Sequence, residues 1–64
     1  MKKDEELYDV DVFIKYETHL AFLLESDDSG PTWFPKSEVE LDRKGSDKGI
    51  LTCPAWLLEA KGWS

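Results

Sequence analysis

The chain is nearly without thiol and imidazole chemistry: Cys53 is its one cysteine and His19 its one histidine in 64 residues. A single cysteine excludes an internal disulfide, and one soft ligand of each kind falls short of the three or four converging donors a metal site needs. No third group is placed to orient a Cys–His pair, so nucleophilic catalysis has no constellation to work with. Cys53 is expected as a small buried hydrophobe at a helix start, and His19 as a surface residue at a strand edge. No catalytic residue, cofactor or metal is expected, and the chain is read as non-enzymatic. Long apolar runs are also missing, and nothing approaches the ~20 residues of a membrane span. Lys2-Lys3 followed by Asp4-Glu5-Glu6 lacks the apolar region of a secretory leader, so a reducing, cytosolic setting is expected.

Basic charge is the third scarcity. Eight Lys and Arg stand against fourteen Asp and Glu, for a net charge of −6. Residues 1–31 hold nine acids against three lysines, whereas residues 32–64 hold five acids and five bases, so the imbalance lies in the first half. Direct binding to nucleic acid normally uses a basic patch and is disfavoured. An acidic excess suits solubility, or a basic protein partner.

Aromatic residues are plentiful for so short a chain: three Trp, three Phe and two Tyr. A chain of this length buries only about 60% of the surface its unfolded form exposes, and rings that bury roughly 150–250 Å² each compensate. One domain, residues 1–64, is expected, with residues 1–6 frayed or extending the first strand. Tyr8, Val10, Val12, Ile14 and Tyr16 alternate with Asp9, Asp11, Phe13, Lys15 and Glu17, the period-two pattern of a half-buried strand. After a short turn, His19–Glu25 reads as a second, central strand with apolar residues on both faces; a helix is the competing reading. The run 26–31 is a polar, Gly/Pro-punctuated loop.

Thr32-Trp33-Phe34 reads as a third strand that Pro35 ends, since Pro gives no N–H to a ladder. Ser37 is placed to cap a turn, with Glu40 three residues on completing a capping box. Residues 39–43 and 50–53 read as two more strands around a polar hairpin loop at 44–49. Pro54 opens a helix at its first position, with Trp56, Leu57 and Ala60 on the docked face. Gly62 is set for a left-handed stop, and Trp63 is expected to fold back beyond it while staying the aromatic most open to contact. The fold class expected is α+β: a strongly bent antiparallel sheet of four or five strands, SH3-like or a small open barrel, with a short C-terminal helix. A flat sheet with a helix layered on it is the alternative.

Asp9 and Asp11 share one strand face roughly 6.5–7 Å apart. Paired carboxylates can do acid–base work as in glycosidases, but that needs a cleft. They read instead as a solvated face or as a surface for a basic partner. Trp33, Phe34 and Trp56 are expected in the core rather than as a stacking platform for single strands. Lys36 and Ser37 read as a turn, not a phosphate cradle.

Trp33-Phe34-Pro35-Lys36-Ser37-Glu38-Val39-Glu40, followed by Pro54-Ala55-Trp56-Leu57-Leu58-Glu59-Ala60-Lys61-Gly62, resembles a recurring group of small phage and mobile-element proteins. Those carry Trp-hydrophobic-Pro-Lys-Ser, an acidic residue, then Pro-x-Trp-Leu and a closing Gly. The likeness spans roughly residues 8–62 and is a packing and turn pattern; the usual acid after the helix-opening Pro is Ala55 here. In size and acidity the chain is also similar to anti-CRISPR proteins, several of which imitate DNA. That resemblance implies a non-enzymatic inhibitor in the host bacterial cytosol. Asp4, Glu5, Glu6, Asp9, Asp11, Glu17, Glu25, Asp27 and Asp28 would occupy the basic DNA-binding groove of a CRISPR interference complex. The alternative is a small β-barrel adaptor of phage or mobile-element DNA metabolism that binds a partner protein through the helix and Trp63. A monomer is expected, with an open sheet edge leaving a dimer possible.

Overall fold

The computed structural model of the chain describes residues 6–63. Five strands precede one helix: β1 (Leu7–Glu17), β2 (Ala21–Glu25), β3 (Thr32–Pro35), β4 (Glu40–Arg43), β5 (Lys48–Pro54) and α1 (Ala55–Ala60). All neighbours are antiparallel, in the order β3-β2-β1-β5-β4. The α+β architecture therefore holds, as an open five-stranded sheet with a short C-terminal helix.

The register explains why this sheet bends. Residues Leu7–Phe13 of β1 pair with β5, and Phe13–Glu17 pair with β2. Phe13 is paired on both sides, and Ile14, paired with Leu24, adds a bond from its N–H to the Asp47 carbonyl at 2.8 Å just before β5. The long first strand is thus shared between two three-stranded halves, β4-β5-β1 and β1-β2-β3. The link from β3 to β4 adds a second constraint. A flat sheet would hold these edge strands about 19 Å apart, four spacings of roughly 4.8 Å. The five-residue step from Pro35 to Glu40 spans about 17 Å even fully extended, and its first part is a turn closed by Glu38 N–H on the Pro35 carbonyl at 3.1 Å. A flat sheet cannot satisfy that link; a curled one can.

The curl encloses one core. Val10, Val12 and Ile14 of β1 point inward with Phe22 and Leu24, Phe34, Leu41, and Leu51 and Cys53. Val39 and the helix residues Leu57 and Leu58 complete it. Phe34, Leu24, Leu51 and Cys53 are fully buried. Gly49 faces inward where β4 crosses closely: a Cβ there would lie 2.9 Å from the Asp42 carbonyl oxygen and 3.2 Å from Leu41 Cδ1.

The strict alternation expected along β1 fails at one point. A β-bulge between Ile14 and Tyr16 shifts the register, so that Tyr16 pairs with Leu23 and Glu17 with Phe22. Directly paired residues share a face, and one inserted residue exchanges the faces beyond it. Tyr16 is therefore on the outer face, edge-on to Trp33 at 6.2 Å, and Glu17 is on the inner side.

Several aromatic expectations are corrected with it. Trp33, paired with Leu23 on the outer face, is 43% exposed and is not core. Trp56 is 46% exposed and Ala60 is exposed, because the six-residue helix turns Leu57 and Leu58 inward instead. Trp63 is tucked in: its ring meets Phe34 edge-on at 4.9 Å and its Nε1 donates to Thr32 Oγ1 at 3.0 Å. The helix stop is as expected, with Trp63 N–H on the Leu58 carbonyl, Gly62 N–H on that of Glu59, and Gly62 at φ 78°.

Local ends also moved. Pro54 is the N-cap, still paired with Leu7 in the sheet, rather than the first helical residue. Glu40 is already in β4, so it forms no capping box with Ser37. His19 falls in the turn before β2 and is exposed, as is Leu20.

The Gly49 geometry gives a direct test. Gly49→Ala should lower stability by about 1–3 kcal/mol through overpacking, read as a lower urea midpoint. Gly45→Ala, whose added Cβ meets nothing within 4 Å, should leave the midpoint close to the parent's. Equal midpoints for the two variants would show that the β4–β5 approach is looser than described.

Candidate functional site

The expected acidic residues separate into groups. Asp4 and Glu5 lie outside the described residues. Glu6 is exposed at the start of β1, accepts the Tyr8 hydroxyl at 3.3 Å, and its carbonyl receives the Ala55 N–H. Asp9 and Asp11 stand on the outer face of β1, with Asp9 Oδ1 accepting Thr52 Oγ1 at 2.8 Å. Glu25 shares that outer side through its pairing with Phe13 and is bridged by Lys15 at 3.4 Å. Asp27 and Asp28 are exposed in the loop after β2.

Glu17 does not belong with them. The bulge carries it to the inner side, where it meets Lys36 Nζ at 2.6 Å and the guanidinium of Arg43. Lys36 and Arg43 flank the Phe22 ring, at 5.0 and 6.0 Å from its centre. One carboxylate thus ties the end of β1 to the turn after β3 and to β4, the two edges that the curl brings near each other. The Lys36 hydrogen bond, with Arg43 beside it, holds the Glu17 carboxyl below its ordinary value, against desolvation acting the other way. This acid is occupied within the fold and is removed from the candidate surface.

Two other acids take its place. Across β5, Glu40 pairs with Thr52 and Thr52 with Asp9; Asp42 pairs with Ile50 and Ile50 with Asp11. Four carboxylates therefore share the outer face of the β4-β5-β1 half. Their spacing is roughly 6.5–7 Å along each strand and about 9.5 Å across the intervening strand. Among the described residues Asp42 is paired, with Lys44 at 3.0 Å, and no ion pair involves Asp9, Asp11 or Glu40. An exposed pair such as Lys44–Asp42 is worth little. One end of the array is edged by an open hollow of about 370 Å³, where Asp11 and Asp27 meet Lys44 and Lys48 around Phe13 and Ile50.

Glu40 and Asp42 had a signal in the sequence. They alternate with Val39 and Leu41, so once those point inward both acids must point out. Counting charges by half of the chain hid them, because five bases offset the five acids there numerically. Yet Lys36 and Arg43 are turned to Glu17 on the inner side, and only Lys44 and Lys48 reach the edge of the array. Among the described residues no three of His, Cys, Asp and Glu come together as a metal site. No helix among them is long and apolar enough to cross a membrane. No family model, no curated protein and no solved structure matches this chain.

The Glu17 geometry has a pH consequence. Its carboxyl is depressed in the folded state, so the stability it contributes is complete above the unfolded value of 4.5 and is lost as pH falls through the folded value. Glu17→Gln should therefore lower the melting temperature most at neutral pH, and the gap to the parent should close on acidification below pH 4.5. A gap independent of pH would show that the clamp has no ionic part.

Proposed function

We propose that this protein is a non-enzymatic acidic inhibitor of the anti-CRISPR type, which enters the DNA-binding groove of a CRISPR interference complex in the host bacterial cytosol and keeps DNA out. The observation that carries the reading is the four-carboxylate array of Asp9, Asp11, Glu40 and Asp42. A row of acids on one extended strand is spaced much as successive phosphates are, and a second row runs beside it on a strand of the same sheet. Lys and Arg side chains placed to hold a DNA backbone would find acceptors at similar intervals. Hydrogen-bonded strands fix those positions before binding, so little ordering cost remains. Asp27 and Glu6 extend the negative surface; Glu17 plays no part in it.

The scaffold reads as SH3-like or as a small open barrel. Five short antiparallel strands, a first strand shared between two halves and a helix over the core support that reading. The adaptor reading drew on the helix and on an exposed Trp63; Trp63 packs on Phe34 and bonds to Thr32, which leaves that reading to the helix, where Trp56 is exposed.

The test is charge reversal confined to the array. Asp9→Lys, Asp11→Lys, Glu40→Lys and Asp42→Lys together add eight charges to the net −6, giving +2. The parent chain should restore plaquing of a targeted phage on hosts carrying at least one of a panel of CRISPR systems, and should displace DNA from the purified effector. The folded quadruple variant should do neither. Displacement by the parent should weaken steeply between low and physiological salt. Full inhibition by the folded variant, or no inhibition by the parent in any system, would contradict the proposal.

A further inference from the structure

The outer face of the sheet changes character at Phe13. Beyond it, on the β1-β2-β3 half, the outward residues are Tyr16, Leu23, Trp33, Ala21 and Pro35, with Glu25 and its partner Lys15 at the border beside Phe13 and Tyr16 62% exposed. Trp33 and Tyr16 meet edge-on there, and Trp63 covers only the inner side of β3. β3 is an edge strand of the sheet, and Thr32-Trp33-Phe34-Pro35 is the one strand of the five without a charged side chain.

The hydrogen-bond phase along β3 shows what its open edge presents. Lys36 N–H donates to the Leu20 carbonyl at 2.9 Å, one step beyond the Ala21–Pro35 pair. In an antiparallel ladder the bonded pairs alternate, so Phe34 and Thr32 also turn their backbone groups toward β2. Trp33 turns its N–H and C=O outward. Pro35 has no N–H, and its carbonyl already receives Glu38. The usable edge is therefore centred on Trp33, with one donor and one acceptor.

We propose that this edge pairs with the same edge of a second copy of the chain, antiparallel, about a two-fold axis at Trp33. The Trp33 N–H of each copy donates to the Trp33 carbonyl of the other, which is the self-complementary arrangement that an isologous interface requires. Both outer faces then meet side by side, and the Trp33 rings of the two copies lie against one another, each backed by the Tyr16 ring of its own chain. Charge selects this edge. At net −6 two copies repel, and the other edge strand carries Glu40, Asp42 and Arg43. Contact through β3 is the approach that brings no charged strand residue against its own copy. This departs from the monomer expected from the sequence and stands apart from the groove-binding proposal. It leaves the carboxylate array uncovered.

Sedimentation analysis of the full chain across concentration and salt tests it. The expected result is a reversible species of twice the 7.4 kDa chain mass, favoured by higher salt because salt screens like charges. That salt response is opposite in sign to the one expected for groove binding. Trp33→Lys and Tyr16→Lys should each shift the protein to monomer while the circular dichroism spectrum stays unchanged. On the unmodified chain, exchange of the Trp33 amide hydrogen should slow as concentration rises. A monomer at millimolar concentration in high salt would overturn the proposal. So would a dimer that survives both substitutions, or a Trp33 amide whose exchange ignores concentration.

Discussion

The structure depends on one strand serving two partners. β1 is long enough to pair with β5 over its first half and β2 over its second, and the bulge at Ile14–Tyr16 lies just past the hand-over residue Phe13. A bulge bends the strand and raises its local twist. That bend lets four residues carry the chain from one edge of the sheet to the other. Without it the β3–β4 link could not close, and Val39, Leu57 and Leu58 would have no enclosed space to fill.

The same residue insertion sorts the surface. Before the bulge the outward side chains of β1 are Leu7, Asp9, Asp11 and Phe13; after it the outward one is Tyr16, and Glu17 turns in. One face therefore has an anionic half and an apolar half. The lone acid that crosses to the inner side becomes the anchor for Lys36 and Arg43. Since neither end of the curl is closed by a strand pairing, this three-residue clamp is a cross-link between the two edges made by side chains alone.

Much of the fold was legible in the residues. The β1 alternation, the Gly/Pro loop at 26–31, the polar hairpin after Arg43 and the stop at Gly62-Trp63 each carry a local signal, and each is where the sequence put it to within a few residues. The bulge was not legible, because Ile14-Lys15-Tyr16-Glu17 continues a period-two pattern and both Tyr16 and Glu17 suit either side of a strand. Missing it misplaced Glu17 by a whole face. Trp33, Trp56 and Trp63 show a related limit: hydrophobicity marks all three for burial, but which ring is covered depends on sheet parity and on a helix only six residues long. The carboxylate array was half legible. Asp9 and Asp11 are local, whereas their companions on β4 required knowing that β5 lies between them, and that pairing is set by long-range closure rather than by any motif.

The bulge is the claim on which the rest turns, and nuclear Overhauser contacts test it most directly. The account predicts cross-peaks between the Tyr16 ring and the Trp33 indole, and between the Glu17 side chain and the Phe22 ring. A Tyr16 ring in contact with Phe22, with Glu17 lying beside Ala21 instead, would mean that the Phe13–Glu25 and Ile14–Leu24 register runs on unbroken, and both the sorted surface and the clamp would be wrong.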